Sequence, residues 1–198
     1  MRIRVSPTRM QLLRLRRRLA LARRGHKLLK DKLDGLVQQF LTAKNSYLEL
    51  HDRLEPEIKK LFLQAALGAA LSEPAALEPS PDQPRRQVET SSKNIMGVRV
   101  PAYQLLPAKA PQVNELLGSV ELIEALKNFN TLLPELVQLA SQGQALRLLA
   151  SQIIETRRRV NALEYVLIPE LQRTANLIRM KLAEQERSTR VVLLKISK

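Results

Sequence analysis

Apolar side chains return along the first third of the chain in alternating steps of three and four. They fall at Leu12, Leu15, Leu19, Ala22, Leu29, Leu33, Leu36, Phe40, Ala43, Tyr47, Leu50 and Leu54, with His26 in the same series. Glu57 breaks it, with Ile58 beside it, and Leu61 resumes it. A 3-4 repeat sustained this long specifies the narrow seam of a left-handed coiled coil. It predicts one helix from about residue 7 to about residue 67, roughly 90 Å long. Ser6 is the expected N-cap, and Pro7 suits the first turn, where a missing N–H costs nothing. Pro56 interrupts the far end of the pattern. Such a helix cannot bury its seam alone and needs a partner helix.

The C-terminal part supplies one. From Leu146 the pattern runs through Leu149, Ile153, Thr156, Val160 and Leu163. It steps by fours through Leu167, Leu171 and Ala175, then continues through Ile178, Leu182, Gln185, Thr189, Val192 and Ile196. The run of fours is a stutter, which locally unwinds a supercoil. It coincides with Pro169 in "RRRVNALEYVLIPEL", residues 157–171. A proline inside a helix deletes a backbone hydrogen bond, so a bend near Pro169 is expected rather than a helix end. Residues 113–140 also have helical spacing, through Leu116, Leu117, Val120, Ile123, Leu126, Phe129 and Leu133, with a kink expected at Pro134.

The middle is different. "SEPAALEPSPDQP" (72–84) is rich in proline and reads as a mobile loop. Residues 85–107 alternate weakly, with Val98 and Val100 on one face, and predict two short strands in a β-hairpin. The expected fold is mainly α. A long antiparallel two-helix coiled coil is formed by the N- and C-terminal helices, with a small middle insert that contains the hairpin. The expected parts are 1–68, the N-terminal coiled-coil helix; 69–112, the loop and hairpin insert; and 113–198, the C-terminal helix that pairs with the first. Aligning the seams puts partners at residue numbers summing to about 207, with Leu12 opposite Ile196 and Leu61 opposite Leu146.

Charge adds a direction to this picture. The formal net charge is +14. Residues 1–32 hold 12 Arg/Lys and one acid, and 157–198 hold 10 Arg/Lys and 4 acids, while 33–156 hold 11 and 14. An antiparallel hairpin brings the two basic ends together into one positive tip, with the insert at the other end. Aromatic residues are only 3% of the chain, which suits a narrow helical seam better than a broad core. There are no cysteines, which excludes disulfides and thiolate zinc sites. No apolar run approaches the roughly 20 residues of a membrane span, and no signal-peptide core follows the basic N-terminus. A soluble, cytoplasmic protein is expected.

No catalytic signature is present. The chain lacks GxxxxGK[ST], GxGxxG and HExxH. His26 lies on the seam, His51 reads as a surface residue, and Glu55 and Glu57 as a solvated helix face. No cofactor, metal or catalytic residue is expected. The basic tip could serve a protein socket or nucleic acid. Lys and Arg suit phosphates, but both ends lack the stacking aromatics that single strands require. A basic-zipper dimer carries one basic end per chain, whereas here both belong to one hairpin.

Three blocks carry a resemblance: "VSPTRMQLLRLRRRLALARRGHKLLKDKLDGLVQQF" (5–40), "NIMGVRVP" (94–101) and "RRVNALEYVLIPEL" (158–171). With the closing "LAEQERSTRVVLLKISK", they resemble the D subunits of V/A-type rotary ATPases, the central-shaft family. The Pro-rich loop, Pro134 and the Ser188–Thr189 pair depart from the family pattern. The resemblance implies a rotor shaft whose paired helices enter a ring of A and B subunits. It implies an insert near the F subunit of the central stalk and the socket subunit (C/d type) above the membrane ring. It also implies no catalysis, no nucleic acid partner and no direct membrane insertion, in a chain peripheral to the membrane as part of the complex. The expected ring contacts are Arg9, Arg14, Arg16, Arg17, Arg18, Arg187, Arg190 and Lys195. The expected insert contacts are Ile95, Met96, Gly97, Val98 and Val100. A basic coiled-coil nucleic-acid-binding protein and a helical-hairpin scaffold stand as alternatives.

Overall fold

The computed structural model describes residues 6–73, 86–107 and 118–196. The Pro-rich segment expected as a loop lies largely outside these residues, as do 113–117 of the third helical pattern. The element order is α1 (Arg9–Leu71), β1 (Val88–Ile95), β2 (Val98–Leu105), α2 (Val120–Asn161), a π-helical turn (Ala162–Leu167) and α3 (Ile168–Ile196). The mainly α fold with a central hairpin is the one the patterning predicts. The chain divides into two units, Met1–Gly35 with Ile153–Lys198 and Leu36–Gln152.

In the first unit, the cap of α1 is Thr8 rather than Ser6. Thr8 Oγ1 accepts the Gln11 N–H at 3.3 Å, and the Thr8 carbonyl accepts the Leu12 N–H at 3.1 Å. Thr8-x-x-Gln11 is the sequence form of a capping box, and it places the helix start two residues later than expected. Leu15, Leu171 and Ile178 form the buried core, with Leu12, Leu19, Ala22, Ala175 and Leu182 packed against it. These are seam residues of the 3-4 pattern.

The register departs from expectation. Arg9 meets Glu186 at 2.6 Å, and His26 meets Glu164 at 3.3 Å, pairs whose numbers sum to 195 and 190. Leu12 therefore packs in the Leu15–Ile178 cluster instead of opposite Ile196. Seam burial on α3 ends at Leu182, and Gln185, Thr189, Val192 and Ile196 are all exposed. The pattern misleads because apolar residues keep its period past the point where Arg9, the first residue of α1, already has its partner.

In the second unit, every seam position of α1 from Leu36 to Leu54 is buried or half-buried, with Leu36 and Leu54 fully enclosed. Helices α1 and α2 run through Pro56 and Pro134 respectively. At its start α2 buries Leu122 and Ala125, while Val120 is 69% exposed. The cause is a close approach at Gly68. A Cβ there would sit 2.6 Å from the Leu122 nitrogen, so only glycine permits it. Two serines hydrogen-bond around this crossing. Ser72 Oγ and Ser119 Oγ both donate to the Gly68 carbonyl, at 2.6 and 3.1 Å. Ser72 Oγ accepts from the Ser119 N–H at 2.9 Å, and Ser119 Oγ caps α2 by accepting from the Leu122 N–H at 3.2 Å. Orphan groups at the end of α1 and the start of α2 thus satisfy one another. Arg53 to Glu135 at 2.6 Å and Asn128 to Gln64 at 3.1 Å continue the pairing, at sums of 188 and 192. Leu61 is accordingly not opposite Leu146.

The hairpin pairs Val88 with Leu105 through to Ile95 with Val98, without a bulge. Met96 (φ 51°) and Gly97 (φ 87°) form its two-residue turn, with positive φ at both positions as a type I′ turn requires. Asn94 Oδ1 accepts the Gly97 N–H at 2.9 Å. Strand β2 is fastened to α2 through Ser141, whose hydroxyl donates to the Pro101 carbonyl and accepts the Tyr103 N–H, both at 3.3 Å. Arg86 adds a hydrogen bond to Asn130 Oδ1.

Candidate partner-binding surfaces

The expected ring contacts all lie in the first unit and all are exposed: Arg9, Arg14, Arg16, Arg17 and Arg18 on α1, and Arg187, Arg190 and Lys195 on α3. They follow from seam geometry. With Leu12, Leu15 and Leu19 turned inward, the intervening arginines are left on the solvent face. The observed register separates them into two groups. The α1 arginines run alongside the stretch of α3 that carries Arg173, Arg179 and Lys181, because Leu15 clusters with Ile178. Arg187, Arg190 and Lys195 lie beyond Glu186, the partner of Arg9. Interleaved with this second group are Val191, Val192, Leu193, Leu194 and Ile196, each more than half exposed. That stretch is a basic and apolar surface, which the seam reading hid by assigning Val192 and Ile196 to a core.

The unit's charge is concentrated. Met1–Gly35 with Ile153–Lys198 hold 22 Arg/Lys against 7 Asp/Glu, a net of +15, while Leu36–Gln152 hold 11 against 12. Exposed ion pairs among these charges are each worth about 0–1 kcal/mol. The Arg9 contact to Glu186, with side chains 80% and 49% exposed, is of that kind.

The expected insert contacts divide as well. Met96 and Gly97, at the hairpin turn, are exposed. Val98 and Val100 are buried and Ile95 is half-buried, so these three pack inward in their unit. Alternation along β2 accounts for this, since side chains two apart share a face. Met96 holds a left-handed backbone that L residues other than Asn and Asp seldom adopt, and its side chain is 45% exposed.

Comparison with known proteins decides the family. The family model described as the ATP synthase D subunit matches residues 11–198. The chain belongs to the ATP synthase D-subunit family. It is 41% identical over 199 residues to the V-type ATP synthase D subunit of a Thermoanaerobacter species, covering 98% of this chain and 95% of that protein. It is 39% identical to that of Acetivibrio thermocellus, covering 98% and 90%, and 39% identical to that of Clostridium botulinum, covering 99% and 94%. Membership in this family makes the chain one component of a rotary ATPase. Among the described residues, no helix is long and apolar enough to cross a membrane, and no three His, Cys, Asp or Glu side chains are grouped to hold a metal.

Proposed function

We propose that the chain is the central rotor shaft of a V/A-type ATPase or ATP synthase. It passes torque between a catalytic ring of A and B subunits and the membrane ring that moves ions. It carries out no chemistry itself. The three-part division at 1–68, 69–112 and 113–198 is its working division into shaft helix, insert and returning helix. The insert works beside the F subunit and the socket subunit above the membrane ring, and the arginine-bearing helices work inside the A/B ring. The observation that carries this reading is the first unit: an aliphatic seam, stepped once at the π turn, under a surface of net charge +15.

Two physical requirements support it. A ring of equivalent catalytic interfaces stays equivalent unless something inside contacts each one differently, so an asymmetric shaft biases each interface toward its own conformation. A shaft that turns needs many weak contacts in place of a few locking ones. Exposed arginines and lysines, each contributing about 0–1 kcal/mol, meet that need. The test is purification of the tagged full chain from its own cells. Recovery of A, B and F subunits with it is the expected result. Recovery of none of them, with tight and salt-sensitive binding to duplex nucleic acid instead, would replace this reading with the nucleic-acid one.

A further inference from the structure

Burial along α2 and α3 shows where the 3-4 repeat fails. Thr156, Val160 and Leu163 follow one another by four and three, and Ile168, Leu171, Ala175, Ile178 and Leu182 by three, four, three and four. All are buried or half-buried, whereas Leu167 is 40% exposed. The seam therefore steps by five from Leu163 to Ile168. Removing one residue between them would give an unbroken heptad. The extra residue is housed in the π-helical turn Ala162–Leu167, where the Ile168 N–H bonds to the Leu163 carbonyl five residues back. Asn161 and Ile168 on either side keep ordinary helical dihedrals, so the helix widens for one turn and goes on. Single π turns of this kind concentrate at functional positions.

The turn is loosely held. None of its residues is buried, and Tyr165 and Val166 are 71% and 60% exposed. Well-packed seam flanks it on both sides, with Thr156 and Val160 before it and Leu171 and Ile178 after it. One contact with α1 is the 3.3 Å pair between Glu164 Oε2 and His26 Nε2. Pro169 follows after Ile168. A wide turn travels along a helix by exchanging bonds to the fifth residue back for bonds to the fourth, one N–H at a time. Pro169 has no N–H to exchange, so it blocks travel toward α3 and leaves travel toward Asn161 open.

We propose that this turn is a torsional joint, in which twist is taken up by movement of the extra residue toward the N-terminal side. Pro169 is the stop on one side, and the Glu164–His26 contact marks the resting position. The role of the joint rests on the shaft reading above, since that reading supplies the twist; its mobility does not.

The test uses the full chain and two variants, deletion of Val166 and Pro169→Ala. Amide hydrogen exchange in 161–168 should be about tenfold or more faster than in the flanking seam, as expected for a locally opening segment. Deleting Val166 should slow it to the rate of the flanks and raise the melting temperature. Pro169→Ala should extend the fast zone past residue 168. In reconstituted complexes with the ring, the deletion variant should assemble normally but turn over more slowly. Wild-type exchange as slow as the flanks, or a fast zone unchanged in Pro169→Ala, would overturn the joint. Unchanged turnover in the deletion variant would overturn its role. Failure of the wild-type chain to enter the ring would instead sink the shaft reading while leaving the exchange result intact.

Discussion

The two units hold their helices together by different means. Leu36–Gln152 has an aliphatic seam of its own, with Leu36, Leu54 and Leu149 fully buried, and adds directional contacts to it: the glycine crossing at Gly68, the Ser119 N–H bond to the Ser72 hydroxyl, the Arg53 pair with Glu135, and the Ser141 bridge to β2. Met1–Gly35 with Ile153–Lys198 uses an aliphatic seam of Leu15, Leu171 and Ile178, interrupted by a turn with no buried residue. Directional polar contacts and close backbone approach specify one register. Aliphatic side chains attract without strong directionality and tolerate exchange among themselves. One unit is built to fix a geometry, and the other to stay packed while bearing exposed charge.

This contrast fails if the seam behaves like the crossing. Ile178 is 1% exposed, and Ile178→Ala should cost about 2–5 kcal/mol. Ile178→Leu should cost under about 1.5 kcal/mol. Urea unfolding monitored by circular dichroism measures both, and equal losses would show that the seam is as shape-specific as the crossing. Gly68→Ala should cost about 1–3 kcal/mol, although it adds one methyl, because its neighbours at 2.6–2.7 Å are Leu122 backbone atoms. A neutral Gly68→Ala would remove the distinction from the other side.

Smaller effects lie on the electrostatic side. Arg14→Gln, Arg17→Gln and Arg18→Gln should each weaken association with the A/B ring by about 0–1 kcal/mol and flatten its salt dependence. Coupling between hydrolysis and rotation should suffer more than assembly does. In the other unit, the Lys59 ammonium 2.7 Å from Glu55 hydrogen-bonds its carboxylate and holds it below the usual carboxylate range. A lowered folded-state value gives a contribution to stability that is present above the unfolded value and lost as pH falls through the folded one. Lys59→Ala should return Glu55 to its ordinary range in an NMR titration without a measurable change in stability near neutral pH, because the pair is exposed.

Much of the fold was legible because a seam of this length leaves few alternatives. All positions from Leu12 to Leu54 that the repeat turned inward are buried or half-buried. The hairpin was legible from the weak alternation that puts Val98 and Val100 on one face. Register was not. Val192 and Ile196 keep the apolar period although no seam partner buries them, so periodicity alone slid α3 too far along α1. Thr8-x-x-Gln11 was the available signal for the true start. Near Pro169, where a bend was expected, the structure has a π turn ending at Leu167, which the pattern did not disclose because a step of five from Leu163 to Ile168 looks like two fours when Leu167 is also apolar. The hairpin residues Val98 and Val100 were correctly paired on one face but assigned to partners, since a sequence pattern does not say which face turns inward.

Rotation itself can be watched, because the chain has no native cysteines. Met96→Cys, at the exposed hairpin turn, gives one site for a visible probe. With the A/B ring fixed to a surface and ATP supplied, a rotor shaft carries the probe continuously in one direction. A probe that stays still while the ring hydrolyses ATP would rule the shaft out.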